Sequence, residues 1–86
     1  MNYLAPGAES RERVDLMLSQ VRVQSVPMRN ALYEHLVHGA SESDVVFRFE
    51  VDLSNFRRTL SRVNEFMAVV EKFKEMDWAH LRARVA

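Results

Sequence analysis

The amino-acid sequence predicts an all-α fold, and three observations carry that prediction. Only two glycines and two prolines occur in 86 residues, so turns are few, while 48% of the residues are apolar, enough to build a core. Apolar residues recur at steps of three and four, the period of a buried helical face, along most of the chain. Only "VRVQSV" alternates, and a lone strand finds no partner elsewhere in the sequence, which makes it a connection. A single domain of this length buries only about 60% of its unfolded surface, so its stability alone is marginal.

Residues 1–9 hold "APG" and little periodicity, and read as a flexible N-terminus ahead of a single helical domain over 10–86. Ser10 is placed to cap a first helix whose buried face is Val14, Met17, Leu18 and Val21. Ser25 and Pro27 open a second helix, with proline in the first turn where its missing N–H is harmless. Met28, Leu32 and Leu36 face inward there, and Gly39 suits the left-handed residue that ends a helix. "SESD" then has the form of a capping box, Ser41 accepting from the Asp44 N–H and the Asp44 carboxylate reaching back. The short third helix offers Val45, Val46 and Phe49. The chain turns at Glu50 and Val51, and Asp52 caps a fourth helix that starts at Leu53. No glycine or proline interrupts residues 53–86, and Phe56, Leu60, Val63, Met67 and Val70 follow steps of four and three. Beyond Val70 the stripe drifts to Phe73, Trp78, Leu81 and Val85, so this C-terminal helix is either one long element or one broken near Met76 and Asp77.

Composition excludes several functions. The chain has no cysteine, which removes disulfides, thiolate chemistry and cysteine-bound zinc, and fits a reducing cytoplasm. No basic start precedes an apolar run and no segment approaches the ~20 apolar residues of a membrane span, so neither export nor a membrane partner is expected. The formal net charge is zero, which gives no global attraction to polyanions, so any nucleic-acid contact must come from local arrangement. There is no nucleophile with its base, no carboxylate pair set in a pocket and no phosphate-cradling glycine loop. An enzyme is therefore not expected, nor a cofactor or small-molecule substrate. His35 and His38, three apart with Glu34 adjacent, lack a third ligand, and no metal site is expected.

A helix ending at glycine, a short helix, a tight turn with an apolar residue in it and a further helix is the outline of a helix-turn-helix, here at about 27–64. Leu32, Leu36, Val45, Phe49, Val51, Phe56 and Leu60 form its core. That leaves Leu53, Ser54, Asn55, Arg57, Arg58 and Ser61 on the outer side or its margins. Arginine pairs bidentately with guanine edges and phosphates, and serine and asparagine bond either. Ser54, Asn55, Arg57, Arg58, Ser61 and Arg62 are the candidate DNA-binding residues, Arg62 by an angle that also turns it toward Glu50 or Asp52. The plainer reading is a solvated face whose arginines pair with Glu42, Asp44, Glu50 and Asp52.

The segment "ALYEHLVHGASESDVVFRFEVDLSNFRRTLSRVN" resembles the core of the PapB-type transcription regulators of bacterial adhesin (fimbrial) operons. The matching positions are Leu36, Val37, Gly39, Ser41, Asp44, Val45, Phe56, Thr59, Leu60, Arg62 and Asn64. Plasmid repressors of the KorA type share the "LV-x-G" helix end, so a plasmid- or phage-type repressor of that kind is an alternative that the same residues imply. The resemblance implies an all-α cytoplasmic regulator that binds AT-rich double-stranded DNA as an oligomer. Ser54 and Asn55 stand where that family has Gly-Tyr, and Arg57 and Arg58 replace smaller polar residues, so a different sequence preference is expected. Residues 1–26 and 70–86 carry no resemblance.

The C-terminal segment holds more apolar side chains than one stripe of a small monomer needs. Phe66, Met67, Val70, Phe73 and Trp78 are the expected oligomerisation residues, in a dimer or higher homo-oligomer that supplies missing core. A helical protein–protein interaction module is the alternative from a different class, favoured by the neutral charge and these same residues.

Overall fold

The computed structural model describes the backbone of residues 2–85 and the side chains of residues 2–83, so Met1, Ala86 and the side chain of the expected stripe residue Val85 lie outside the described part. Four helices make up the fold: α1 (Arg11–Val21), α2 (Val26–Leu36), α3 (Glu42–Phe49) and α4 (Leu53–Val85), with no strand among the described residues. Of the alternating "VRVQSV" stretch, Val21 ends α1 and Val26 opens α2, and the four residues between them form the connection rather than a strand.

Local chemistry fixes each helix start. The hydroxyls of Ser10, Ser25 and Ser41 accept from the N–H groups of Arg13, Met28 and Asp44, and the Asp52 carboxylate accepts from the Asn55 N–H at 2.9 Å. The expected return arm of the capping box does not form, because the Asp44 carboxylate is held by Arg48 one turn on. The helix ends are less conventional. α1 and α3 both stop at a non-glycine residue with positive φ, Arg22 at 61° and Glu50 at 54°. In each case the next N–H bonds five residues back, Val23 to the Leu18 carbonyl at 3.1 Å and Val51 to the Val46 carbonyl at 3.2 Å. Both Val23 and Val51 pack on the core. This is the hydrophobic contact that accompanies a left-handed helix end, and it holds arginine and glutamate in a conformation better suited to glycine.

α2 and α4 form the central pair, each packing on the other three helices. Between them lie Leu32, Leu36, Val45, Phe56 and Val63, all fully buried, with Val14, Met17, Leu18 and Val21 of α1 closing one side. The predicted inward faces of α1 and α2 are therefore those observed. His35 also sits in this core. Its Nδ1–H donates to the Ala40 carbonyl at 2.8 Å, and its ring meets Phe56 edge-on at 5.6 Å.

Residues 3–9, read from sequence as part of a flexible lead-in, are instead a strap across the helices. Leu4 is buried in the core, the Tyr3 N–H donates to the Asn64 side-chain oxygen at 2.6 Å, and the Gly7 and Glu9 N–H groups both bond the Leu36 carbonyl at the end of α2. Gly7 crosses Gly39 closely: both have φ of +79°, and a Cβ on Gly7 would lie 3.1 Å from the Gly39 Cα. The strap gives a marginal core extra apolar cover and satisfies the Leu36 carbonyl, which the end of α2 leaves open.

α4 runs unbroken for 33 residues, which settles the choice between one helix and two. At ~1.5 Å per residue it is about 50 Å long, so it sets the 53 Å long axis of a body only 22 × 21 Å across. Its first half completes the core through Phe56, Val63 and Met67. From Lys72 to Ala83 every side chain is exposed, and the helix continues as an arm. No helix among the described residues is long and apolar enough to cross a membrane.

Candidate nucleic-acid interface

The turn of Glu50, Val51 and Asp52 sets the start of α4 at the end of the helical body, and the inward anchoring of Phe56 fixes which side faces out. Ser54, Asn55, Arg57, Arg58 and Ser61 are all exposed on that outer side. Arg58 Nη1 donates to the Asn55 side-chain oxygen at 3.0 Å, which orders both, and the Thr59 hydroxyl donates to the Asn55 carbonyl at 2.8 Å. Arg57 Nη2 lies 3.7 Å from the Glu42 carboxylate in a largely solvated pair, a contact worth little and readily exchanged.

Arg62 goes elsewhere than expected. Rather than turning to Glu50 or Asp52, its Nη2 donates to the Val21 carbonyl at 3.0 Å, satisfying an open group at the end of α1. Its side chain thereby forms a wall of a groove of about 290 Å³ between the α1–α2 connection and α4, lined also by Arg22, Gln24, Ser25, Asn55 and Thr59. Arg22 and Arg29 contribute to an adjoining concavity of about 230 Å³. Sequence reasoning passed over Arg22 and Arg29. The signal was present, because residues 16–33 contain no acid, as do residues 53–64, and the fold lays these two acid-free stretches side by side.

The arginine of α3 is differently placed. Arg48 hydrogen-bonds Asp44, lies 3.5 Å from Glu34 and covers the Phe49 ring at 5.4 Å. The hydrogen bond to Asp44 holds its guanidinium above the ordinary arginine value, with the charges of Asp44 and Glu34 adding to it. Its charge is neutralised locally, whereas those of Arg22, Arg58 and Arg62 face no carboxylate partner within salt-bridge distance among the described ion pairs.

The expected oligomerisation residues divide. Met67 is taken up by the core of its own chain, and Phe66 and Val70 pack at its edge, so Met67 leaves that set. Phe73 and Trp78 are exposed, joined by Val69, Met76 and Leu81. Phe66, Val69, Phe73 and Met76 follow steps of three, four and three, one continuous seam down the arm. No group of three or more side chains suited to hold a metal occurs among the described residues, and His35 is engaged within the core.

No protein-family model, curated protein or solved structure matches this chain.

Proposed function

We propose that this protein is a sequence-selective DNA-binding transcription regulator of the bacterial adhesin-operon type that its central segment resembles. In this reading α3, the three-residue turn and α4 act as a helix-turn-helix. The first half of α4 enters the major groove, with Ser54, Asn55, Arg57, Arg58 and Ser61 toward the bases and phosphates. The target is AT-rich duplex, the compartment the bacterial cytoplasm, and the active form a homo-oligomer joined through the exposed arm of α4. The observation that supports this best is the acid-free exposed face of α4 from Leu53 to Asn64, mounted on a packed body and bordered by further arginines. In a chain whose 12 basic residues are balanced by 12 acidic ones, such segregation gives a local positive field without a net charge.

The test is fluorescence anisotropy with AT-rich and GC-rich duplexes at low and physiological salt. Tighter binding to the AT-rich duplex, weakening steeply with salt, is expected. Arg57→Ala with Arg58→Ala removes two exposed side chains and leaves the fold intact. If both contact phosphate, the log–log salt slope becomes shallower by about 1.8 and binding is largely lost. Unchanged affinity in that variant would sink the assignment.

A helical protein-interaction module is the second reading, favoured by the Arg57–Glu42 pair and by the apolar arm. Absence of duplex binding at low salt selects it.

A further inference from the structure

We infer that the groove between the α1–α2 connection and α4 grips the phosphodiester backbone of the bound duplex, with Arg22 and Arg62 as phosphate ligands and Arg29 at its edge. The inference rests on the DNA-binding reading and extends it from one helix to a second contact surface on another part of the chain.

Three observations converge on this groove. Its walls are arginine, amide and hydroxyl groups over a floor of Val23 and Met28, and neither it nor the adjoining concavity is lined by an acid. Guanidinium groups bind phosphate oxygens bidentately, and amides and hydroxyls add neutral donors, so the lining matches an oxyanion rather than an apolar or cationic ligand. Next, Arg62 is pre-organised. One of its five N–H donors serves the Val21 carbonyl, which holds the guanidinium at the groove without neutralising its charge. For Arg22 it is the backbone that is set, in the left-handed region with its N–H on the Leu18 carbonyl, which places the root of an exposed side chain at the groove.

The third observation is continuity. Asn55 lines the groove and also bonds Arg58 on the exposed face of α4, so the groove and the reading face form one surface. A duplex lying on that face passes the α1–α2 connection. Contacts there would fix the register of the reading helix on the duplex without reading sequence.

The experiment compares the full wild-type chain with the double variant Arg22→Gly, Arg29→Gln. Glycine relieves the left-handed residue while removing the guanidinium, so the fold is retained and thermal unfolding verifies it. The expected result is a loss of about tenfold for Arg22, with a smaller further loss for Arg29, on AT-rich and GC-rich duplexes alike, and the AT-to-GC preference unchanged. The salt slope is expected to be shallower by up to about 1.8. Unchanged affinity and slope in a variant of a DNA-binding wild type would overturn the inference alone. Loss on one duplex only would make these arginines base readers and overturn the backbone role. Wild type that binds neither duplex would overturn this inference together with the DNA reading. Calorimetric titration with inorganic phosphate separates a free-anion site: saturable phosphate binding, with duplex affinity untouched by the variant, would assign the groove to a small anion instead.

Discussion

Replacing Phe73 by alanine tests the arm most directly. Phe73 is 61% exposed on a helix whose neighbouring side chains are all exposed from Lys72 onward, so the monomer loses no core when it is truncated. An aromatic side chain of ~200 Å² leaves about 120 Å² in water at that exposure. At ~25 cal/mol per Å², covering it contributes about 3 kcal/mol per copy, or about 6 kcal/mol for the two copies of a symmetric dimer. That figure is a ceiling, since alanine keeps its Cβ and interfaces realise only part of their buried area. A weakening of about 3–4 kcal/mol is expected, two to three orders of magnitude in the dimer dissociation constant. Sedimentation velocity over the micromolar range reads this, with circular dichroism confirming an unchanged helix content. Wild type that sediments as a 10.0 kDa monomer throughout, or a variant with the same dissociation constant as wild type, would refute the reasoning.

Two further predictions concern the strap. Leu4→Ala should destabilise the protein by about 2–5 kcal/mol in urea unfolding, as for any buried leucine, whereas a neutral effect would restore a loose N-terminus. Gly7→Ala should cost about 1–2 kcal/mol for the positive φ alone, and more than Gly39→Ala, because its Cβ meets backbone at 3.1 Å rather than 3.4 Å. Equal or reversed effects in thermal melts would mean that the strap yields at Gly7.

What could be read from the sequence was whatever a few neighbouring residues determine. The Ser10, Ser25, Ser41 and Asp52 caps and the inward sets Val14–Met17–Leu18–Val21 and Met28–Leu32–Leu36 are local patterns, and all of them hold in the structure. The strap was hidden because Leu4 and Tyr3 act through contacts far along the chain, Tyr3 with a residue 61 positions away. A segment with no periodicity of its own gives no sign of such an anchor. Arg62 is the same case within the site, since its partner is a backbone carbonyl 41 positions away that no charge-pairing argument would propose. The α1 and α3 ends are legible in a less familiar form. "LSQVRV" and "VFRFEV" each place a valine two residues beyond the helix, where it can close on the last turn, although no glycine marks either end.

The two proposed roles of α4 meet on one face. Asn55, Arg58, Arg62, Phe66, Val69, Phe73 and Met76 follow one another at steps of three and four, so a single line along the helix is polar and cationic down to Arg62 and apolar from Phe66. In the proposed dimer, two copies paired in parallel along the lower half bury Val69, Phe73 and Met76, and set Lys72 of each chain against Asp77 of the other at flanking positions of opposite charge. The same alignment brings the Arg58 side chains of the two chains toward each other, while Arg62 stays bound to the Val21 carbonyl of its own chain. Like charges a few ångströms apart repel by about 1 kcal/mol even in water, and by more beside protein. The pair should therefore close below Phe66 and spread above it, unless a polyanion lies between the arginines and removes the repulsion. Duplex binding and dimer formation then strengthen each other by the same factor, because linkage is reciprocal. Loss of Phe73 should accordingly weaken DNA binding although Phe73 stands well down the arm from the arginines, and duplex should tighten the dimer by the factor that dimerisation tightens duplex binding.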